Sequence, residues 1–227
     1  MTIKTSGALS MTEINAEFGL GNNLHAYRGV KWFKDDNSRG YFEGASGNNP
    51  PIDFYEFYGK RKTIPVTPTG NVNYSNGQWF TFPFYNKITV TMQGGSGGQA
   101  GQYGINGCTG NSPTGSGGGG TGGTSSFGVY GSAAGGGGGG GNQGGGSPGA
   151  TTTLVFNAET DPNAPKAGIP VLITVGNGGG GGGGGPNAIL IQTGTDFWGN
   201  PEYGCFPSGN AASGASGSPG YVTIRVE

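Results

Sequence analysis

The residues that could do chemistry are few and widely spaced. The 227-residue chain has one histidine, His25, two cysteines, Cys108 and Cys205, and 12 acidic side chains. An activated nucleophile needs a base within hydrogen-bond reach. One histidine, scattered acids and no G-x-S-x-G element supply no such pair. Two thiols are too few for a zinc site unless other ligands join them, and His25 lies far off in sequence. Glu159 and Asp161 are a sparse acidic pair, not a carboxylate-rich calcium loop. The segment VLITVGNGGGG carries Gly176, Gly178 and Gly181 in G-x-G-x-x-G spacing after a strand-like run. A dinucleotide site needs a helix next, to hold the pyrophosphate. Here more glycine follows, then Pro186 and another strand-like run. The chain therefore reads as non-enzymatic, with no metal and no cofactor. Cys108 and Cys205 either form a bridge, which could add about 4–5 kcal/mol by closing so long a loop, or remain two free thiols; spacing leaves both open.

The other chemistry is that of contact surfaces. The segment TGTDFWGNPEYGCFPSG, Thr193 to Gly209, gathers Phe197, Trp198, Tyr203 and Phe206 among turn-forming glycine and proline. Tyr103 and Tyr130 lie in two further aromatic loops, GQYGING and SSFGVYG. Tyr and Trp offer large rigid faces with a polar handle, which suits binding. Such faces fit sugar rings, and Asp196 and Asn200 could hydrogen-bond hydroxyls. The alternative is that these rings staple their loops to a scaffold poor in side chains.

Composition narrows what can position these residues. The chain holds 55 Gly and 14 Pro, a level typical of low-complexity sequence. Yet aromatics reach 11% and charged residues only 10%, the reverse of a disordered chain. An ordered protein with an unusual backbone is expected. A net charge of −1 gives no basic surface for nucleic acid or anionic membranes. No apolar run approaches the roughly 18–20 residues that span a bilayer. The N-terminus lacks a signal-peptide core, so synthesis and folding in a cytoplasm are expected.

Charge and glycine divide the chain in opposite senses. Fifteen of its 23 charged residues fall in 1–62, whereas 45 of 55 glycines fall in 94–227. Residues 63–70, between Lys62 and Asn71, read as a linker. The first region carries two helix signatures of one design. Ser10 with Glu13 forms a capping box, Leu9 and Ile14 a hydrophobic staple, and Gly19 a stop. Asp53, Glu56, Ile52, Phe57 and Gly59 repeat the pattern. Between them, RGVKWFKDDNSRGYFEG reads as a hairpin turning over Asp35 to Gly40. About 60 residues make a marginal core. Trp32, Phe33, Phe54, Tyr55, Phe57 and Tyr58 therefore either form that core or dock onto a larger partner.

The second region, 71–227, alternates strand-like runs with glycine. QWFTFPF, KITVTMQ, TTLVF, VLITV, AILIQ and YVTIRVE are the strands; Ile88, Val90 and Met92 alternate with Thr89 and Thr91, as Val222, Ile224 and Val226 do with Thr223 and Arg225. Pro83 puts its strand at an edge or bend. The glycine runs are Gly117–Gly120, Gly135–Gly141 and Gly178–Gly185. Ordering eight glycines costs on the order of 10 kcal/mol. They either stay mobile or lie side by side as polyglycine II, a left-handed form with about three residues per turn and no internal hydrogen bonds. Without Cβ atoms such runs can approach closely and satisfy one another's backbone groups. The expected fold is mainly β: a small module with two short helices and a hairpin, then a glycine-rich β and polyglycine II scaffold with long loops.

Glycine runs alternating with aromatic loops resemble the tail-fibre tip adhesins of tailed bacteriophages. The frame WFTFPFYNKITVTMQGGSGG … VLITVGNGGGG … GYVTIRVE resembles glycine-rich domains of phage tail and fibre proteins, and SGALSMTEINAEFG with DFYEFYGKR resembles a module of phage virion proteins. The resemblance implies a polyglycine II scaffold presenting receptor-binding loops, a virion location, and attachment to other tail or fibre proteins through residues 1–62. It implies a host cell-surface glycan or outer-membrane protein as receptor. A purely structural virion component (a decoration, plug or connector protein) would carry the same motifs. A glycine-rich wall protein is disfavoured by the missing export signal.

Overall fold

Ser10 starts the first helix as its sequence requires. In the computed structural model, which describes residues 2–36, 38–43, 51–63, 66–109 and 112–227, the Ser10 hydroxyl accepts from the Glu13 N–H and the Glu13 carboxylate accepts from the Ser10 N–H. Helix α1, Met11–Phe18, ends at Gly19, whose φ of 79° is left-handed. Asp53 also caps, its side chain accepting from the Tyr55 and Glu56 N–H groups, but the turn that follows, Phe54–Phe57, is a 3-10 helix rather than an α-helix. A further 3-10 turn, Leu24–Tyr27, precedes a hairpin of β1, Lys31–Phe33, and β2, Arg39–Tyr41. Asn37 of the hairpin turn, Gly44 beyond it and residues 64 and 65 of the expected linker lie outside the described residues. Ile3, Ile14, Phe18, Tyr27, Phe42, Ile52 and Phe57 form one buried core. Phe57 stacks on Phe42 at 4.3 Å between centroids.

The remainder is mainly β. Among the described residues twelve short strands follow: β3 Val72–Tyr74, β4 Trp79–Thr81, β5 Lys87–Gln93, β6 Gly104–Asn106, β7 Ser112–Thr114, β8 Ser125–Phe127, β9 Gly131–Ala133, β10 Thr151–Asn157, β11 Pro170–Thr174, β12 Pro186–Thr195, β13 Pro201–Asn210 and β14 Tyr221–Val226. They pair as three four-stranded sheets in the orders β10-β5-β14-β3, β4-β11-β8-β9 and β13-β12-β6-β7. The first two sheets enclose a second core. Ile88, Val90 and Met92 from β5 and Val222, Ile224 and Val226 from β14 meet Phe80, Phe127, Val171 and Ile173 from the facing sheet. Period-two alternation places these residues inward and Thr89, Thr91, Thr223 and Arg225 outward. Val66 packs against this core, and the Thr69 N–H donates to Val226 O at 3.0 Å, so these two residues of 63–70 lie along the sandwich.

Six segments without regular secondary structure join the sandwich to what lies beyond it: 94–102, 115–124, 134–141, 144–150, 176–185 and 211–220. Each enters or leaves a sandwich strand at one end. At the other end four lead to the third sheet and two to the turn at 141–143. The segments bond to one another, residue by third residue. Gly95, Gly98 and Gly101 donate to Gly123, Gly120 and Gly117; Ser96, Gln99 and Gln102 donate to Ser218, Ala215 and Ala212. Gly97 and Ala100 donate to Ser147 and Gly144. The reverse bonds run from Gly136 and Gly139 to Gly95 and Gly98, and from Gly179, Gly182 and Gly185 to Ser96, Gln99 and Gln102. The same period marks burial: Gly176, Gly179, Gly182 and Gly185 are buried while Asn177, Gly180 and Gly183 are exposed. A Cβ on Gly182 would lie 2.1 Å from Gly117 O, whereas a Cβ on Gly180 or Gly183 would meet nothing within 4 Å.

Candidate functional site

The third sheet stands at the far end of the six runs, and its outer part is the hairpin β12–β13. Its register pairs Ile189 with Phe206, Leu190 with Cys205, Ile191 with Gly204 and Gln192 with Tyr203. Directly paired residues share a face, so Ile189, Ile191 and Phe206 lie on one side and Leu190 and Tyr203 on the other. The Phe206 ring lies over Gly204, where a Cβ would sit 2.7 Å from it. All five side chains are exposed. The segment Thr193 to Gly209, expected as a long aromatic loop, is thus mostly strand. Glycine, proline and cysteine in PEYGCFPSGN mask its alternation. AILIQ, expected as scaffold, instead leaves Ile189, Leu190 and Ile191 in solvent; its unbroken apolar run gave no sign of which face would be covered.

Only residues 196–200 remain as loop, and Asp196 organises them. Its carboxylate accepts from the Trp198 and Asn200 N–H groups, both at 2.8 Å, and from the Asn200 side-chain amide at 3.0 Å. The bond from the Asn200 side chain first, and then the backbone bonds, hold the Asp196 carboxyl below its usual pKa. Gly199 closes the turn at φ 80°. Asp196 and Asn200 therefore organise the turn, and Asn200 remains exposed beside the two rings. What the turn presents is Phe197, 93% exposed, and Trp198, 82% exposed, packed edge to face at 5.4 Å.

Cys108 and Cys205 are disulfide-bonded, with Cα atoms 5.7 Å apart. The bond ties the middle of β13 to the short 3-10 turn Gly107–Thr109 after β6. Tyr103 stands at the same end, beside the turn whose Asn142 side chain accepts from its N–H at 3.0 Å. Tyr130 does not. It lies in the β8–β9 turn at the sandwich end, with its ring against Phe82, Phe127 and Phe156. It is a core-packing residue, separated from the others by the length of the runs.

The aromatic residues of the N-terminal region divide similarly. Phe57 is fully buried, which removes it from any docking surface; Phe54 and Trp32 pack partly against the same core. The Lys60 ammonium lies 4.0 Å from the Trp32 ring centroid. Phe33 is half-buried beside Arg39, and the Tyr58 hydroxyl donates to Gly7 O. Tyr55 alone of the six projects, at 82% exposure.

A concavity that sequence reasoning missed, of about 540 Å³, lies where β2 meets the loop after β10. Asp36, Arg39, Glu159, Asp161 and Lys166 line it. Lys31 pairs with Glu159 and Lys166 with Asp36, and Arg39 donates to Tyr85 O at 2.9 Å. These contacts join the N-terminal region to the sandwich. Among the described residues no cluster of His, Cys, Asp and Glu could hold a metal ion, and no helix is long and apolar enough to cross a membrane. No family model, curated protein or solved structure matches the chain.

Proposed function

We propose that this chain is a non-enzymatic, receptor-binding tail or tail-fibre protein of a tailed bacteriophage. In this reading residues 1–62 attach it to other virion proteins. Residues 71–227 form a polyglycine II scaffold that carries a receptor-contacting hairpin outward. The observation that carries the reading is the exposed Phe197–Trp198 pair, held on a tight turn at the end of a stapled hairpin and backed by laterally bonded runs. Rigid frames that present exposed aromatic residues on connecting turns are the common design of binding proteins. The three-residue step of the bonds between runs is the period of polyglycine II. The Cys108–Cys205 disulfide fits a tip that works in oxidising surroundings outside a cell.

The receptor is a host cell-surface glycan or an outer-membrane protein. The test is adsorption of particles carrying Phe197→Ala/Trp198→Ala to host cells treated with periodate, with protease, or left untreated. Loss of adsorption by the variant supports the reading, and the treatment that abolishes adsorption of the parent identifies the receptor class. Unchanged adsorption by the variant, and by particles lacking the hairpin, would assign the chain a purely structural place in the virion.

A further inference from the structure

With a three-residue repeat, the N–H groups of the run 94–102 point to three places and its carbonyls to three more, and among the described residues five of the six hold a run. In order they are 144–150, 134–141, 115–124, 176–185 and 211–220, each bonded to the next. Between 211–220 and 144–150 no run stands among the described residues. The carbonyls of Gly94, Gly97 and Ala100 accept no N–H there, although the carbonyls of Gly95 and Gly98, and of Ser96, Gln99 and Gln102, are all used. An unfilled place in such an array is the counterpart of an open sheet edge, a template for another chain.

Side chains occupy that place. Within the run Gly94, Gly95, Gly97, Gly98, Ala100 and Gly101 are buried, and Ser96, Gln99 and Gln102 are partly exposed. The Ser96 hydroxyl accepts from the Ser218 N–H at 2.7 Å. The Gln99 side chain spans the opening: its Nε2 donates to Gln143 O at 3.1 Å and its Oε1 accepts from the Ala215 N–H at 3.5 Å. A glutamine amide has the same donor and acceptor as a peptide group. One such side chain therefore bridges the run 211–220 and the turn that leads into 144–150, across the place a sixth run would take.

We infer that Ser96 and Gln99 stand in for peptide groups of an absent sixth run, closing the bundle and barring a further glycine-rich chain, a second copy included. Gln102 continues the row. The test compares the full-length parent with Ser96→Gly/Gln99→Gly/Gln102→Gly. Sedimentation velocity reads self-association, and fluorescence polarisation reads binding of a labelled peptide GNGGGGGGGGPN, the chain's own Gly176 to Asn187. The parent should stay monomeric and leave the peptide free. The variant should bind the peptide or itself at least tenfold more tightly. A folded variant that does neither overturns the proposal. Should the variant not fold, amide exchange by NMR decides. Ser96→Ala should speed exchange at Ser218 about tenfold and leave Ala215 unchanged, and Gln99→Ala should do the reverse. Unchanged exchange at both amides overturns the stand-in role.

Discussion

Two adjacent glycines of one run should respond oppositely to the same methyl group. At Gly182 an added Cβ would lie 2.1 Å from Gly117 O and 2.8 Å from Gly117 C. Ordinary contact begins near 3.4 Å, so the runs 115–124 and 176–185 must part by about 1.3 Å. Their bonds, from Gly117 to Gly183 at 2.8 Å and from Gly120 to Gly180 at 2.7 Å, would then exceed the usual hydrogen-bond range. Losing two or three bonds at about 1 kcal/mol each, with about 1–3 kcal/mol of overpacking, gives a destabilisation of about 3–5 kcal/mol. At Gly183 a Cβ meets nothing within 4 Å. There Gly183→Ala should stabilise by about 0.4–1 kcal/mol, through the smaller freedom of the unfolded chain. In a domain of this size the melting temperature should fall by about 6–20 °C for Gly182→Ala and rise by about 1–4 °C for Gly183→Ala. Differential scanning calorimetry of both variants against the parent is the assay. Equal shifts refute the reasoning: two neutral variants would mean mobile loops, and two destabilised ones would mean packing without a three-residue register.

Three further outcomes are expected. Trp198→Ala should leave the melt within about 0.5 kcal/mol of the parent, as an exposed truncation does, while host adsorption falls; a large melt shift with adsorption retained would end its contact role. Cys108→Ser should lower the melt by as much as about 4–5 kcal/mol, the range for a loop of this length, and should remove the parent's sensitivity to reductant; equal melts with and without reductant in the parent would refute this. The Glu13 carboxyl is held down to about 2, from 4.5, first by the Lys4 ammonium and then by the Ser10 bonds. Its folded pKa is depressed, so its contribution is complete above pH 4.5 and lost as pH falls toward 2. Acid melts of Glu13→Gln should be flatter across that window, and parallel profiles would count against the capping role.

The sequence made part of this fold plain and hid the rest for identifiable reasons. The Ser10–Glu13 box and the alternation in β5 and β14 appear atom for atom, because local bonding and one buried face determine them. The continuous glycine runs were visible, but 94–102, 144–150 and 211–220 were not. In GGSGGQAGQ and ASGASGSPG glycine recurs at every third place with Ser, Ala, Gln or Pro between, and that spacing, not glycine content, is the signal. The aromatic residues of 193–209 and of the other two loops were plain in the sequence. Which of them were available was not, since burial of Tyr130 and Phe57 depends on residues distant in sequence.

The bonding between runs gives the bundle a reading frame. In 211–220 the places of Gly214, Gly217 and Gly220 face Gln99 O, Ser96 O and Gln93 O, each 2.1 Å from where a Cβ would be. A slip of one residue brings Ser213, Ser216 and Pro219 into those places, and all three collide. A slip of three returns glycine to two of them and Ala211 to the third. Length changes within a run should therefore survive only in multiples of three, while the turns between runs can vary freely. In the proposed polyglycine II form each such step of three residues would lengthen the runs by about 9 Å, while the hairpin beyond them is free of that frame.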